Sequence, residues 1–249
     1  MDANGRVIVW FSCGAASACA AKLAVEKYPD AHVVYCDTSA SEHPDNLRFV
    51  TDVEKWIGKS VGFIASKKYA DIDEVFEKTR YMSGVHGAPC TREMKKVPRC
   101  DYQQPNDLHI FGLTFDEVGR IARFEEQNPD LEFEWILRDW QLTKDHCYQM
   151  IRDAGIELPV MYTLGFKNNN CIGCVKSTSP TYWDRVRTYF PAIFEKRCKQ
   201  SRKIGCRLVE YHGKRIFLDE LPLVITDRRK ERNIECGVIC VTESQTEAI

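Results

Sequence analysis

No stretch of the 249 residues approaches the roughly 18 to 20 consecutive apolar side chains that a membrane-crossing helix needs. The opening Met1-Asp2-Ala3-Asn4-Gly5-Arg6 also lacks the basic and apolar regions of a secretory leader, so a cytoplasmic location is expected. Strong charge of either sign is missing as well. The 35 Lys and Arg against 36 Asp and Glu leave a formal net charge of −1, without the overall basic balance of a chain built for nucleic acid. No internal repeat or low-complexity tract is present, which excludes solenoid and linker architectures. Cysteine, by contrast, is abundant. The 12 cysteines are scattered through apparent strands and helices, whereas a secreted scaffold would crowd them into short loops. Metal binding and thiol chemistry are therefore the leading explanations for them.

With 44% hydrophobic residues the chain can bury the core of one domain with a smaller appendage. Val7-Ile8-Val9-Trp10-Phe11 is a buried-type strand followed by a small-residue turn and an alanine-rich helix from Ala18 to Lys27. His32 to Cys36 repeats the pattern, with a helix from Pro44 to Gly58. Val61 to Ile64, a helix from Ile72 to Thr79, and a strand from Leu108 to Leu113 continue it. Strands separated by helices of this length predict an α/β fold, a Rossmann-like parallel sheet with helices on both faces. Ligands of such sheets bind at the carboxyl ends of the strands, here the loops after Phe11, Cys36 and Phe111.

From Pro180 the character changes. Tyr182 to Lys203 reads as one long basic helix, and Arg207 to Leu218 as a hairpin around His212-Gly213. The expected organisation is a main domain over 1–180 and a C-terminal helix and hairpin appendage over 181–249. Between 181 and 232 there are 14 Lys and Arg against 7 Asp and Glu. The basic 185–203 segment suits either an anionic partner such as nucleic acid or a solvated helix face.

Ser12-Cys13-Gly14-Ala15-Ala16-Ser17 stands between the first strand and first helix, where small side chains let backbone N–H groups approach an anion. With the motifs that follow, it resembles the pyrophosphate loop Ser-Gly-Gly-x-Asp-Ser of the adenine-nucleotide α-hydrolase superfamily. Cys13 replaces a glycine, and Ala16 replaces the acid that ATP-cleaving members use with Mg²⁺. That departure favours the branch of adenylyl sulfate and phosphoadenylyl sulfate (PAPS) reductases. Asp37-Thr38 is similar to their Asp-Thr element beside the nucleotide, although capping of the next turn explains it equally. Cys90-Thr91-Arg92-Glu93-Met94-Lys95-Lys96-Val97-Pro98 resembles their Cys-Cys-x-x-x-Lys-x-x-Pro segment, with Thr91 in place of the second cysteine; Lys95, Lys96 and Arg99 there suit either a bound sulfate or phosphate or a basic helix surface. Gly112-Leu113-Thr114-Phe115-Asp116 resembles their Gly-x-Arg-Arg-Asp loop, with Arg120 and Arg123 as the candidate anion-binding arginines.

The strongest local signal is Cys171-Ile172-Gly173-Cys174, two thiols able to meet one soft metal, zinc or an iron-sulfur cluster, or to act as a redox dithiol. Its place in the chain is similar to the Cys-x-x-Cys of cluster-containing adenylyl sulfate reductases. The resemblance implies a four-iron four-sulfur (4Fe-4S) cluster on Cys90, Cys171 and Cys174. Cys240 is the candidate fourth ligand, with a resolving thiol as its other role. Glu235-Cys236-Gly237 resembles the Glu-Cys-Gly signature of the family's nucleophilic cysteine. By that resemblance Cys236 is the catalytic residue, a thioredoxin-like protein is the reductant, and an adenine sulfonucleotide is the substrate. Two alternatives stay open: an iron-sulfur-dependent sulfurtransferase acting on DNA or RNA, and a nucleotide-binding regulatory module.

Overall fold

The computed structural model describes residues 5–84 and 87–227. Cys236 and Cys240 therefore lie outside the described residues. The main unit alternates strand and helix: β1 (Val7–Phe11), α1 (Ala15–Lys27), β2 (His32–Cys36), α2 (Asp45–Ile57), β3 (Val61–Ile64) and α3 (Ile72–Thr79). A broken helical run follows, comprising α4 (Pro89–Thr91), a π-helical turn over Arg92–Lys96 and α5 (Val97–Tyr102). Next come β4 (Leu108–Phe111), α6 (Val118–Glu126), β5 (Glu132–Glu134), α7 (Ile136–Asp139), α8 (Lys144–Asp153) and α9 (Val160–Thr163). The chain continues through α10 (Pro180–Tyr189), α11 (Pro191–Ile204) and the antiparallel hairpin β6 (Val209–Tyr211) and β7 (Lys214–Ile216).

The first five strands form one parallel sheet in the order β3-β2-β1-β4-β5. Val9 is registered with Val33 on one side and Ile110 on the other. β1 is central, and side chains on both its faces are buried, which is why it reads as a continuous apolar run. Val9 and Phe11 enter the core shared with α1, α2 and α8, while Ile8 and Trp10 enter an aromatic core with Phe111, Phe124 and Trp135. Helix α1 can lie close on the sheet because Ala15, Ala18, Ala20, Ala21 and Ala24 present only methyl groups, all buried.

A third core joins α3 and the 161–175 segment to α10, α11 and the hairpin around Phe76, Met161, Trp183 and Val209. The expected single helix from Tyr182 to Lys203 is two helices. Pro191 has no N–H to donate and forces its predecessor out of the helical region, and Phe190 sits at φ −135, ψ 59. Pro191 then begins α11 at the first helical position, where a missing N–H costs nothing. Helix α1 starts at Ala15, three residues before the expected start, and β4 stops at Phe111, before Gly112. Among the described residues no helix is long and apolar enough to cross a membrane.

Candidate functional site

The strand order reverses between β1 and β4, and the crevice outside their carboxyl ends is where a ligand of this architecture binds. A cavity of about 220 Å³ opens there, walled by the β1–α1 loop, the residues after β4, Lys95 and Arg99, and the segment Asn168-Asn169-Asn170. Of the residues singled out in the sequence, Ser12, Gly14, Ala15, Ala16, Ser17, Lys95, Gly112, Thr114 and Arg120 line it.

In the β1–α1 loop the Ser17 hydroxyl accepts from the backbone N–H groups of Ser12 (3.1 Å) and Gly14 (3.3 Å) and donates to the Gly14 carbonyl (2.9 Å). The Tyr162 hydroxyl accepts from the Ala15 N–H at 3.3 Å. Neutral oxygens thus meet N–H groups that an anion's oxygens could also take. The first turn of α1 carries no acidic residue, so no side chain of the helix itself offsets the positive end of its dipole. Cys13 makes this geometry at a cost, holding φ +58 where a glycine would be unstrained. Its thiol points away from the cavity toward the Asn46 carbonyl (3.4 Å), and burial, then Glu42, pushes its pKa upward. Cys13 therefore shapes the loop through its backbone.

Gly112 is needed because β4 ends against the start of α1. A Cβ there would lie 2.5 Å from the backbone N and Cα of Ser17. Beyond it, Thr114 and Arg120 are organised by one carboxylate: Glu117 accepts from the Thr114 N–H (2.9 Å) and pairs with Arg120 (2.6 Å). Arg120 therefore reaches the cavity with its charge largely compensated. Arg123 is exposed on α6, donates to the Gly119 carbonyl and does not line the cavity. Asp37 accepts from the N–H (2.9 Å) and hydroxyl (2.6 Å) of Ser39, the capping role, and is likewise outside the lining.

Three further lining residues stand opposite the loop: Arg99, which the sequence offered as positive charge for an anion, and Lys144 and Tyr162, which had no such reading. Arg99 is 1% exposed, flanked by the rings of Trp10 and Phe111 at 5.4 Å each, and burial lowers its pKa to about 9. Lys144 donates to the Lys167 carbonyl and to Asn168 Oδ1 (2.9 Å) near the rings of Tyr148 and Tyr162, and burial lowers its pKa. Burial also raises that of Tyr162, to about 12. Lys144 stands at the start of α8, where only a helix cap was legible, and no sequence signal marks Tyr162.

A second, smaller cavity of about 20 Å³ adjoins the first and shares Lys95 with it. Cys90, Cys171 and Cys174 all line it, together with Thr38 and Thr91. The Cys171–Cys174 turn is pinned from several directions. The Ile172 N–H donates to the Ser41 carbonyl (2.9 Å), the Cys174 N–H to the Tyr182 hydroxyl (2.7 Å), and Arg197 to the Gly173 carbonyl (3.2 Å). Between the two cysteines Gly173 takes φ +68, the left-handed conformation that favours glycine. The fold thus places three cysteines from segments about 80 residues apart in the chain along one cavity. Three thiols with no carboxylate in the wall form a soft donor set, which suits an iron-sulfur cluster in its chemistry. Among the described residues no group of three or more His, Cys, Asp or Glu surrounds a single ion position.

Much of the charge of the basic 185–203 segment is spent inside the chain. Arg187 pairs with Asp184, Lys196 and Arg197 with Asp73, Lys199 with Glu195, and Arg202 with Asp219 and Glu220. No family model matches the sequence, and no curated protein matches it.

Proposed function

We propose that the chain binds an adenine sulfonucleotide, adenylyl sulfate or phosphoadenylyl sulfate, in the crevice and reduces it to sulfite, in the manner of the PAPS reductase-like enzymes it resembles. One observation carries this reading: the cavity bordered by the β1–α1 loop and the cavity bordered by three thiols adjoin and share Lys95. A nucleotide with its phosphate at the start of α1 would direct its sulfo group toward Lys95 and the thiols. Ala16 leaves the loop without the acid that Mg²⁺-dependent ATP cleavage uses, which agrees with a reaction that consumes no ATP.

In the proposed step the Cys236 thiolate attacks the sulfur of the sulfonucleotide. A sulfur-sulfur bond forms, the bond from that sulfur to the phosphate oxygen breaks, and AMP or its 3′-phosphate leaves with the electron pair. A dithiol reductant of the thioredoxin class then attacks Cys236 Sγ, sulfite departs, and after thiol exchange the reductant is left as a disulfide. Lys95 and the N-terminus of α1 bind and orient the anionic groups, and the buried Arg99 and Lys144 add positive field in a partly water-excluded site. Cys90, Cys171 and Cys174, with Cys240 as fourth ligand, would hold a 4Fe-4S cluster, which when bound would supply a redox-active, charged centre beside the sulfo group.

Nucleic-acid thiolation through the 185–203 segment has less support, because the ion pairs there leave less charge for phosphates. The test is anaerobic purification, assay of iron and labile sulfide, and incubation with each sulfonucleotide plus a dithiol. Sulfite from wild type but not from Cys236→Ser is expected. Sulfite from neither, or equal sulfite from both, refutes the mechanism.

A further inference from the structure

Two consecutive asparagines in the crevice wall each keep a polar atom without a hydrogen-bond partner. Asn169, 5% exposed, donates through Nδ2 to the Cys13 carbonyl (2.6 Å) and to Asn46 Oδ1 (2.8 Å), which leaves its own Oδ1 buried without a donor. Nδ2 of the adjacent Asn170 is buried without an acceptor. Both residues line the cavity. Buried polar groups are almost always paired, so an unpaired acceptor and an unpaired donor on consecutive lining residues point to a missing partner.

The orientation of the Asn169 amide is imposed from behind. Glu42, 6% exposed, receives hydrogen bonds from the Tyr35 hydroxyl, the Thr38 hydroxyl and Asn46 Nδ2 (2.6 Å). With three donors converging on it, Glu42 acts as an acceptor, so Asn46 must turn its NH₂ toward Glu42 and its oxygen toward Asn169. That oxygen and the Cys13 carbonyl both demand a donor, so Asn169 must turn its NH₂ to them. Its oxygen is the atom left for the crevice.

We infer that the Glu42–Asn46–Asn169 chain presets an acceptor which, with the Asn170 amide as donor, reads a ribose hydroxyl of the bound nucleotide. This rests on the nucleotide reading of the crevice. A bare phosphate or sulfate offers Asn169 no donor, whereas one hydroxyl both donates and accepts and so satisfies both side chains. A ribose hydroxyl is favoured over the base amino group because the same Asn169 amide holds the Cys13 carbonyl. Cys13 belongs to the loop that would cradle the phosphate, and on a nucleotide the sugar is nearer to the phosphate than the base is.

Isothermal titration of wild type, Glu42→Gln and Asn169→Leu with AMP, 2′-deoxy-AMP, 3′-deoxy-AMP and inosine monophosphate tests this, with thermal melts to show that each variant folds. One deoxynucleotide should bind wild type about 10- to 100-fold more weakly than AMP. That ratio should fall toward one in Asn169→Leu. It should also fall in Glu42→Gln, because an amide at 42 can donate to Asn46 and lets both asparagines turn over. Equal binding of AMP and both deoxynucleotides by wild type overturns the inference, as does discrimination that survives in folded variants. Weakening by inosine monophosphate alone assigns Asn169 to the base and overturns it too. Failure of every nucleotide to bind instead refutes the nucleotide reading, and the inference falls with it.

Discussion

Replacing Gly112 by alanine tests how closely the sheet and the candidate anion site are built into one another. The added Cβ would lie 2.5 Å from the backbone N and Cα of Ser17 and 2.8 Å from the carbonyl carbon of Ala16. All three are backbone atoms in the first turn of α1, a helix packed on the sheet through the fully buried Ala15, Ala18, Ala20, Ala21 and Ala24, so no side chain can swing aside. Restoring ordinary contact, about 3.5 to 4.0 Å between carbon atoms, requires the end of β4 and the start of α1 to separate by about 1 Å. Overpacking an interior of normal density costs about 1 to 3 kcal/mol, and the backbone nature of this clash places it toward the upper end. At about 2 to 4 °C per kcal/mol for a chain of this size, the melting temperature should fall by about 4 to 12 °C. The displaced atoms are those that line the crevice, and a 1 Å misplacement can cost about 100-fold in a positioned reaction. Calorimetric melting and AMP titration of Gly112→Ala measure both effects. A variant with unchanged melting temperature and unchanged AMP affinity would refute the close-approach argument.

Other outcomes follow from the buried charges. Burial pushes the Asp73 carboxyl up, but Arg197 and the hydrogen bonds from Lys196, Arg197 and Gln200 outweigh this and hold its pKa below the usual value. Asp73→Asn strands Arg197, 2% exposed, without its counter-charge and should cost about 3 to 5 kcal/mol in urea unfolding. Because that carboxyl's folded pKa is depressed, its contribution is complete above about pH 4 and is lost as pH falls through the folded value. His109 also weakens the fold as pH falls, but as a buried neutral imidazole instead of a paired carboxylate. Burial, then the charge of Arg99, lowers its pKa to about 4, and its Nδ1 accepts from Trp10 Nε1 at 3.0 Å. The unfolded chain takes up this proton below about pH 6.5 and the folded chain does not, so stability should fall by about 3 kcal/mol between pH 6.5 and 4. His109→Gln, which retains an acceptor, should flatten that part of the pH profile. An unchanged slope would mean that His109 protonates in the folded state.

Apolar patterning located β1, β2, β3, α2 and α3 within a residue or two, because short apolar strand runs bounded by turns and helices with one apolar stripe are local features of the chain. Motif content likewise marked the β1–α1 loop and the Cys171–Cys174 turn, since small residues before a helix and thiols two residues apart are local signals. Of the side chains opposite that loop, Arg99 was legible as a charge for an anion, but Tyr162 and Lys144 carried no such signal. Tyr162 and Lys144 become part of the crevice only because α8 and α9 pack beside α1, and Arg99 only because the broken helix before β4 folds its charge between Trp10 and Phe111.

The sequence by itself determined the alternation of strand and helix, the parallel sheet it implies, and which loops sit at the strands' carboxyl ends. Those properties depend on neighbours three or four residues apart. Tertiary structure alone decided that Cys90, Cys171 and Cys174 line one cavity, that Arg120 is paired with Glu117, and that the Asn169 amide holds Asn46 and the Cys13 carbonyl. Each of those is settled by a partner brought in through packing, and through-space partners leave no period in the chain that precedes them.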